Sequence, residues 1–343
     1  MSRYDDYAYS ARPSRFNSPR RSKDRPDFSA ATVGMVVAVD RGRITCVQPA
    51  DVPHDQQTTV IAVKARELGR KGVVIGDRVR LVGDVSGRTD TLARLVEIVD
   101  RDSVLMRTAD DTDPVERVIV ANADQMAIVV ATANPEPRFG LIDRALVAAY
   151  DGNLEPILVI TKTDIENPQT ILDNYAGLDI RHFLIDQKTG QGVTEFRDAL
   201  LGHQTVLVGH SGVGKSTLVN SLIPDADRAT GDVNDVTGRG KHTSTSAVAL
   251  ALPDDSGWVI DTPGIRSFGL AHVNAETIIE YFPELDDGAA ECPRACTHVS
   301  ATGDAPPDCA LDEYVAAGNA GASGLSRLRS LRRLLAALQT PSS

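Results

Sequence analysis

The spacing of hydrophobic positions changes twice along the chain, and each change predicts a different kind of structure. Between residues 32 and 99, short runs rich in β-branched residues recur between glycine and proline turn signals. These runs are 35–39, 44–47, 60–63, 77–82 and 92–99. Five short strands with this punctuation predict an all-β barrel, closed or partly open, for which an OB-like fold is the leading candidate.

Longer apolar strands that alternate with helical stretches follow from about residue 107. The segments 126–131 and 156–160 are typical of buried parallel strands, with a helix at 141–150 between them. Further strands are predicted at 206–208, 248–252 and 258–260. The alternation predicts a central α/β domain, a sheet with helices on both faces whose strand ends are a usual place for phosphate chemistry.

The two ends of the chain differ in composition from the middle. Residues 1–31 hold few aliphatic side chains, so they are expected to form a disordered basic tail, either an RNA-touching arm or a solvated leader. From about residue 271, helix and loop mix around a cysteine and histidine cluster, and 325–338 predicts an amphipathic basic helix. The expected division is a tail (1–31), a barrel (32–108), an α/β domain (109–271) and a mainly α C-terminal domain (272–343).

Length and charge narrow the function classes. A chain of 343 residues is long enough for several cores, so a multidomain protein is expected. No apolar run approaches the ~20 residues needed to cross a bilayer, so we expect no membrane partner and a cytoplasmic protein. The net charge of −11 argues against indiscriminate coating of DNA, because non-specific affinity comes from neutralised phosphates.

Local basic patches leave RNA contact open. One patch, in a predicted connection of the barrel, is Lys64, Arg66, Arg70 and Lys71, for which a solvated loop is the simpler interpretation.

A phosphate-binding loop is the strongest chemical signal. The loop segment, which follows a predicted strand and opens a predicted helix as such a loop requires, is Gly209, His210, Ser211, Gly212, Val213, Gly214, Lys215, Ser216 and Thr217. Its glycines let backbone N–H groups turn toward phosphate oxygens, and Lys215 adds positive charge at the β and γ positions. The Ser216 hydroxyl is a candidate ligand of Mg²⁺. The pattern predicts a nucleoside triphosphate site with Lys215 as a catalytic residue.

Two further motifs define the nucleotide. In Asp261-Thr262-Pro263-Gly264, after an apolar strand, Asp261 can hold the Mg²⁺ shell and the Gly264 N–H can sense the γ-phosphate. The motif Thr161, Lys162, Thr163 and Asp164 ends another buried strand at the same sheet edge. A carboxylate at Asp164 accepts from the N1–H and the exocyclic amine of guanine, a pattern that adenine lacks. The expected ligands are therefore GTP and GDP.

The segment 238–245 lies between the phosphate loop and Asp261, where a nucleotide-dependent switch belongs. Two glycines give it backbone freedom, and its hydroxyls, Thr243 among them, are candidate ligands of Mg²⁺ or of the γ-phosphate. His242 is a candidate for positioning the attacking water and so for a catalytic role. A surface histidine in a loop is an equally good interpretation of His242.

The C-terminal cluster carries the ligand set of a structural zinc site. Its four members, one imidazole and three thiols, are Cys292, Cys296, His298 and Cys309. Three of the four cysteines of the chain fall within 18 residues here, which favours one Zn²⁺ over free core cysteines. The fourth, Cys46, lies in a predicted strand and is expected to be a small core side chain.

The order of the motifs is permuted, because the guanine motif precedes the phosphate loop. This order, the Gly-Arg-Gly-Lys-His-Thr segment at 238–243, the preceding barrel and the trailing cysteines together resemble the ribosome small-subunit-dependent GTPase A family, also called RsgA or YjeQ. The resemblance covers residue 32 to the end. It implies an OB barrel, a circularly permuted GTPase domain and a zinc-binding C-terminal domain. Zinc and nucleotide ligands are implied at the positions named above.

Three positions depart from the family pattern. Thr161 replaces the usual asparagine of the guanine motif, which is expected to loosen its tie to the phosphate loop. Asp186-Gln187-Lys188 replaces a Ser-Ala-Lys type segment, although a Gln187 backbone N–H can still serve the guanine carbonyl. The cysteine spacing is one residue shorter in the first pair and longer before Cys309, which predicts a different zinc loop.

The function implied by the resemblance is a GTP hydrolase that acts as a late assembly factor of the small ribosomal subunit. It is expected to be a monomer that contacts the small subunit and its rRNA through the barrel and the C-terminal domain. The subunit would stimulate hydrolysis, and hydrolysis would time release. Two alternatives are an RNA-binding module with a structural, non-hydrolysing nucleotide site, and a permuted GTPase of large-subunit assembly.

Overall fold

The structure is a computed structural model. It describes residues 27–40, 42–69, 72–110, 113–224, 247–253, 257–262, 268, 270, 273, 275–300, 306 and 308–339. The predicted tail and the predicted switch segment therefore lie outside the described residues, apart from residues 27–31. No helix within the described residues has both the length and the apolar character needed to span a membrane.

The first five strands form the predicted barrel. They are β1 (Val33–Asp40), β2 (Arg43–Gln48), β3 (Thr58–Lys64), β4 (Arg78–Gly83) and β5 (Ala93–Ile98). The strands pair in the order β1, β2, β3, β5, β4, and β4 returns to pair with β1, so the sheet closes. Small and β-branched side chains such as Val36, Cys46 and Val60 fill the interior, where Cys46 is buried as expected. The OB-like barrel is confirmed.

A hairpin follows the barrel that the hydrophobic pattern did not predict. Its strands are β6 (Val104–Asp110) and β7 (Asp113–Ala121). Charged residues at its tip hide the strand pattern in the sequence. The expected domain boundary at residue 108 falls inside this hairpin.

The α/β part is a six-stranded sheet with helices on both faces. Its strands are β8 (Gln125–Ala131), β9 (Glu155–Thr161), β10 (Arg181–Ile185), β11 (His203–Val208), β12 (Val248–Ala251) and β13 (Gly257–Asp261). They lie in the order β10, β9, β8, β11, β13, β12, and all pairings are parallel except β12 with β13. The helices are α1 (Phe139–Asp151), α2 (Gln169–Tyr175), α3 (Val193–Ala199) and α4 (Lys215–Leu222). The parallel order places the carboxyl ends of β9, β11 and β13 at one edge.

The contacts among the described residues that join the barrel to the hairpin and the α/β part include a strand pair, a ring contact and a close backbone approach. Ala38 of β1 pairs with Val248 of β12, which joins the two sheets. The rings of His54 and Trp258 meet edge to face at 4.6 Å. In the third contact, Gly76 is packed against the hairpin so closely that an added Cβ would lie 1.9 Å from the Ala121 carbonyl oxygen.

The C-terminal part is helical, as predicted. Its helices are α5 (Ala275–Ile279), α6 (Pro283–Ala290), α7 (Leu311–Ala316) and α8 (Gly324–Gln339). The apolar face of α8, with Leu328, Leu331 and Leu334, is buried in one continuous core with α1.

Three arginines of α8 make intramolecular contacts, and we call them the clasp: Arg327, Arg332 and Arg333. Arg327 pairs with Glu284 of α6 and lies over the Phe282 ring. Arg332 makes two hydrogen bonds to Asp312 at 2.7 and 2.6 Å. Arg333 reaches Asp143 of α1 at 3.0 Å. Most of the positive charge of this helix therefore holds the C-terminal part together and to the α/β part.

Candidate nucleotide site and metal centre

The phosphate loop connects β11 to α4 and is packed closely on its neighbours. Gly209, Gly212 and Gly214 all have positive φ values, of 152°, 85° and 99°. A Cβ on Gly209 would lie 2.4 Å from the Val129 carbonyl oxygen of β8, so no larger residue fits there without a shift. Glycine at this position therefore serves both the backbone conformation and the packing against the sheet.

Lys215 is buried at the start of α4 and folds back over the loop. Its Nζ donates to the Gly209 carbonyl oxygen at 2.6 Å and to the His210 carbonyl oxygen at 3.3 Å. Burial lowers the pKa of Lys215, and the Asp261 carboxylate opposes that shift. Burial likewise raises the pKa of Asp261, against the effect of Lys215. The phosphate loop and the Asp261 motif thus place a cation and a carboxylate close enough for each charge to affect the pKa of the other group.

The guanine motif at the end of β9 is tied to the phosphate loop by Thr161. Its hydroxyl lies 2.6 Å from the Val213 carbonyl oxygen and 3.2 Å from that of Val130. The threonine hydroxyl thus ties the guanine motif to the phosphate loop, and a looser tie than asparagine would give stays a prediction. Thr132 adds a second hydroxyl contact, because it donates to the Lys162 carbonyl oxygen at 2.6 Å.

Asp164 meets the loop that follows β10. Its Oδ2 lies 2.5 Å from Lys188 Nζ, and its side chain is 17% exposed. The neighbouring Gln187 donates from Nε2 to the Gly214 carbonyl oxygen at 2.9 Å. Asp164 and the phosphate loop are thus linked through two consecutive residues, and the three motifs converge on one sheet edge.

The four predicted zinc ligands converge in the C-terminal part. Their ligand atoms all lie within 4.8 Å of one another. Cys292 Sγ is 3.5 Å from His298 Nδ1 and 4.0 Å from Cys309 Sγ, and Cys309 Sγ is 3.9 Å from His298 Nδ1. Tetrahedral zinc with bonds near 2.0–2.3 Å requires separations of roughly 3.5–3.8 Å. The altered cysteine spacing therefore still gives a four-ligand set that fits Zn²⁺.

Groups around the cluster are those that support a metal–thiolate centre. The Ala310 N–H donates to Cys292 Sγ at 3.3 Å, and the His298 N–H donates to Cys296 Sγ at 3.4 Å. Arg332 donates to Cys309 Sγ at 3.7 Å and to the His298 carbonyl oxygen at 3.1 Å. Burial lowers the pKa of His298, which favours the neutral imidazole that binds metals. Burial raises the pKa of Cys292 to about 11, so metal binding must release its proton.

Comparison with known protein families identifies the family to which this chain belongs. The family model described as RsgA GTPase matches residues 98–271. The chain belongs to the RsgA GTPase family. The resemblance inferred from the permuted motifs is therefore confirmed.

Named RsgA proteins align with most of the chain. The small ribosomal subunit biogenesis GTPase RsgA of Chlorobaculum parvum is 32% identical over 315 residues, which are 90% of this chain and 98% of that protein. The RsgA of Pseudomonas aeruginosa strain LESB58 is 38% identical over 227 residues, 64% of each chain.

Solved structures agree on the fold. The crystal structure of YjeQ from Thermotoga maritima has a TM-score of 0.59 and 26% identity, and the match covers 87% of this chain and 95% of that one. YloQ, described as a circularly permuted GTPase, has a TM-score of 0.60 at 21% identity over 90% and 95% of the two chains. The three-part RsgA architecture predicted from the sequence is confirmed.

Some of the predicted RsgA site residues cannot be placed. His242, Thr243 and Gly264 lie outside the described residues. Ser216 and Thr217 are exposed in the first turn of α4. Their proposed roles stay predictions.

Three side chains that contact the predicted nucleotide motifs were not predicted from the sequence: Thr132, the Gln187 amide and Lys188. Gln187 lies in the segment that replaces Ser-Ala-Lys, and it is the side-chain amide that bonds the Gly214 carbonyl oxygen. Asp164 lies three residues after the end of β9, and Thr132 follows the buried strand β8 directly. A polar residue at the end of a central parallel strand could have identified it.

Proposed function

We propose that this chain hydrolyses GTP as a late assembly factor of the small ribosomal subunit, with turnover stimulated by that subunit and hydrolysis timing its release. The observation that carries the proposal is the convergence of the guanine motif on the phosphate loop, through Thr161 to Val213 and Gln187 to Gly214. The Chlorobaculum and Pseudomonas relatives are small ribosomal subunit biogenesis GTPases, which supports the subunit assignment.

Phosphate binding falls to the loop and to Lys215. The Lys215 ammonium group, which now bonds two loop carbonyls, is placed to exchange them for β- and γ-phosphate oxygens. Its charge would stabilise the negative charge that develops on the phosphoryl oxygens as the bond to the leaving group breaks. Ser216 and Asp261 are the described residues that would hold Mg²⁺, which supplies further charge neutralisation when bound.

Guanine recognition falls to Asp164. Its carboxylate would accept from the N1–H and the exocyclic amine of the base. Lys188 Nζ bonds one oxygen of this carboxylate at 2.5 Å. A carboxylate has about four lone-pair sites, so guanine can donate to Asp164 while the lysine stays bonded. The Lys188 side chain is 77% exposed, so little packing opposes its adjustment to the base.

The zinc centre has a structural role in this proposal. The four side chains would supply all the ligands of a tetrahedral zinc site, which would leave no position for a substrate. Arg332 connects the cluster to Asp312 and to α8, whose next residue, Arg333, reaches the α/β part. Zinc would therefore hold the C-terminal part in the shape that the clasp requires.

Small-subunit rRNA would be contacted through the outer parts of the chain. Because the clasp arginines are engaged inside the molecule, the exposed Arg66 of the barrel patch is the stronger candidate for phosphate contacts. We place the protein in the cytoplasm as a monomer. A thiol-rich metal site suits a reducing compartment, which supports this placement.

The decisive experiment measures GTP turnover by the wild type and by Lys215→Ala, each alone and with purified small or large subunits. Stimulation by small subunits in the wild type, with turnover abolished in Lys215→Ala, is the expected result. Unstimulated turnover alongside intact RNA binding would favour the RNA-binding module. Stimulation by large subunits alone would assign the chain to large-subunit assembly.

A further inference from the structure

The Gln187 side chain, which belongs to none of the three nucleotide motifs, bonds the phosphate loop. Its Nε2 lies 2.9 Å from the Gly214 carbonyl oxygen. A Cβ on Gly214 would lie 2.9 Å from both Nε2 and Oε1 of Gln187, so the amide group packs flat against this glycine. The contact joins the loop after β10 to the last residue of the phosphate loop.

The Gly214 carbonyl is also the first acceptor of α4. It accepts the helical hydrogen bond from the Leu218 N–H at 2.9 Å. A carbonyl oxygen has two lone pairs, so the bond from Gln187 uses the second. The preceding carbonyl, that of Val213, is held by the Thr161 hydroxyl at 2.6 Å. Two consecutive carbonyls of the phosphate loop are therefore held by side chains from the guanine side of the site, which we define as the end of β9 with Thr161 and the loop after β10 with Gln187.

Holding these carbonyls sets the direction of the next two amides. A peptide unit is planar and trans, so its C=O and the N–H of the following residue point in opposite directions. The bonds to the Val213 and Gly214 carbonyl oxygens thus orient the N–H groups of Gly214 and Lys215 away from the guanine side. Amides at this turn are the donors that phosphate oxygens accept from.

The loop that carries Gln187 is itself fixed. The Asp186 carboxylate accepts from the Lys188 N–H at 2.8 Å and from the Thr189 hydroxyl at 2.7 Å. The Asp186 N–H and carbonyl oxygen are bonded to Gln191 and Gly190 at 3.1 and 2.9 Å. Gln187 therefore extends from a braced turn, which lowers the conformational entropy lost when it holds Gly214.

We propose that Gln187 is a positioning residue that couples the guanine-side loop to the phosphate loop, so that both guanine nucleotides are held through the oriented amides of Gly214 and Lys215. This inference rests on the proposed GTP site. It goes beyond that site because the position is an alanine in the usual Ser-Ala-Lys segment, and alanine has no side-chain donor. The coupling acts on binding of GTP and GDP alike, and it leaves the charge of Lys215 unchanged.

The test compares nucleotide dissociation rates of a fluorescent GDP and of a fluorescent non-hydrolysable GTP analogue in four proteins. Gln187→Met keeps the length of the side chain and removes the donor, and Gln187→Glu places a carboxylate against the Gly214 carbonyl. Gln191→Ala is the matched control, since within the described chain this exposed glutamine bonds its neighbours through backbone atoms.

Gln187→Met should release both nucleotides about 5-fold faster, the loss of one hydrogen bond, and Gln187→Glu roughly 10-fold faster or more. KM for GTP should rise by similar factors while kcat changes less than 2-fold, roughly, because the interaction is made in both ground and transition states. Gln191→Ala should match the wild type. Thermal unfolding of each variant separates a folding defect from a binding defect.

Release from Gln187→Met at the wild-type rate would overturn the inference while leaving the GTP site intact. A fall in kcat without a change in dissociation rate would also overturn it. Failure of the wild type to bind either nucleotide would instead overturn the proposed function and the inference together.

Discussion

The Thr161 hydroxyl lies 2.6 Å from the carbonyl oxygen of Val213, 52 residues further along the chain. Thr161 is fully buried at the end of β9, and Val213 is buried in the phosphate loop. A short threonine thus makes the connection for which asparagine is usual in the family. The bond runs across the end of β8, the strand between β9 and β11, whose Val130 carbonyl oxygen lies 3.2 Å from the same hydroxyl.

Removing this hydroxyl should weaken nucleotide binding. Thr161→Val keeps the shape of the side chain and leaves the Val213 carbonyl without its donor, so affinity for GTP and GDP should fall about 5–10-fold. Equilibrium titration with a fluorescent nucleotide measures the effect. Thr161→Ser, which retains the hydroxyl, should stay within about 2-fold of the wild type. Equal losses in Thr161→Val and Thr161→Ser would show that the methyl packing, and not the hydrogen bond, matters.

Asp164 should determine the choice of base. In Asp164→Asn the carboxylate becomes an amide, which no longer accepts from both the N1–H and the exocyclic amine of guanine. GTP affinity should fall roughly 100-fold. Xanthosine triphosphate should bind better to Asp164→Asn than to the wild type, because its 2-oxo group accepts from the new amide. Competition titrations with both nucleotides measure the change.

Glu166→Gln is the control for Asp164→Asn, since Glu166 is an exposed acid two residues further along the chain. It should keep the wild-type preference. A gain of xanthosine triphosphate binding in Glu166→Gln as well would mean that net charge, and not pairing with the base, controls the selection.

Removing zinc should destabilise the C-terminal part. The wild type should contain about one zinc per chain, and Cys309→Ser should lose most of it because a four-ligand site is left with three thiolate or imidazole donors. The melting temperature should fall on the order of 5–10 °C. Elemental analysis and thermal unfolding measure the two effects. Cys46→Ala in the barrel core should lower stability without lowering the zinc content, and zinc loss in that variant would contradict the assignment.

The pair of Arg333 and Asp143 should stabilise the contact between α8 and α1. Asp143 is buried, while the Arg333 side chain is 27% exposed. Arg333→Met leaves the carboxylate with the Tyr175 hydrogen bond but without its charged partner, so the free energy of unfolding should fall by about 2–3 kcal/mol after allowance for that exposure. Urea titration measures the loss. The double variant Arg333→Met with Asp143→Asn should regain part of it, because no unpaired charge is then buried.

The same pair predicts a pH dependence. Burial raises the pKa of Asp143 above 3.8, and the charge of Arg333 opposes the shift. Between the unfolded and the higher folded pKa, the folded state binds more protons, so stability falls as pH rises through that interval. Without the Arg333 charge the pKa of folded Asp143 rises further, so the pH interval over which stability falls extends upward. Arg333→Met should therefore be less destabilised at pH 5 than at pH 7. If the free energies of unfolding of Arg333→Met and of the double variant differ by the same amount at pH 5 and at pH 7, the prediction is contradicted.

Periodicity and composition predicted the elements with buried strands or strong motifs. The strand predicted at 126–131 is observed as Gln125–Ala131, and the helix predicted at 141–150 as Phe139–Asp151. Strand β10 was missed because it lies at the sheet edge, where Arg181 and His182 are exposed and interrupt the apolar run. The hairpin was missed for a similar reason at its charged tip.

The candidate site was predictable where chemistry depends on local spacing. The glycines, Lys215 and the four zinc ligands are each identified by neighbours in sequence. The clasp was not predictable, because Arg333 and Asp143 are 190 residues apart and a basic helix gives no indication of which arginines face inward. The Gln187 amide was missed for the same reason, since its partner Gly214 lies 27 residues further along.

The close packing of Gly76 against Ala121 has a mechanical consequence. Two further bonds surround it, from the Ala121 N–H to the Ile75 carbonyl oxygen and from Asn122 Nδ2 to the Gly76 carbonyl oxygen, both at 2.9 Å. Together with the strand pair Ala38–Val248, these bonds oppose rotation of the barrel, because such a movement would break them. A force applied to the barrel would be transmitted from β1 to β12 and, by way of β13, to β11, the strand that precedes the phosphate loop.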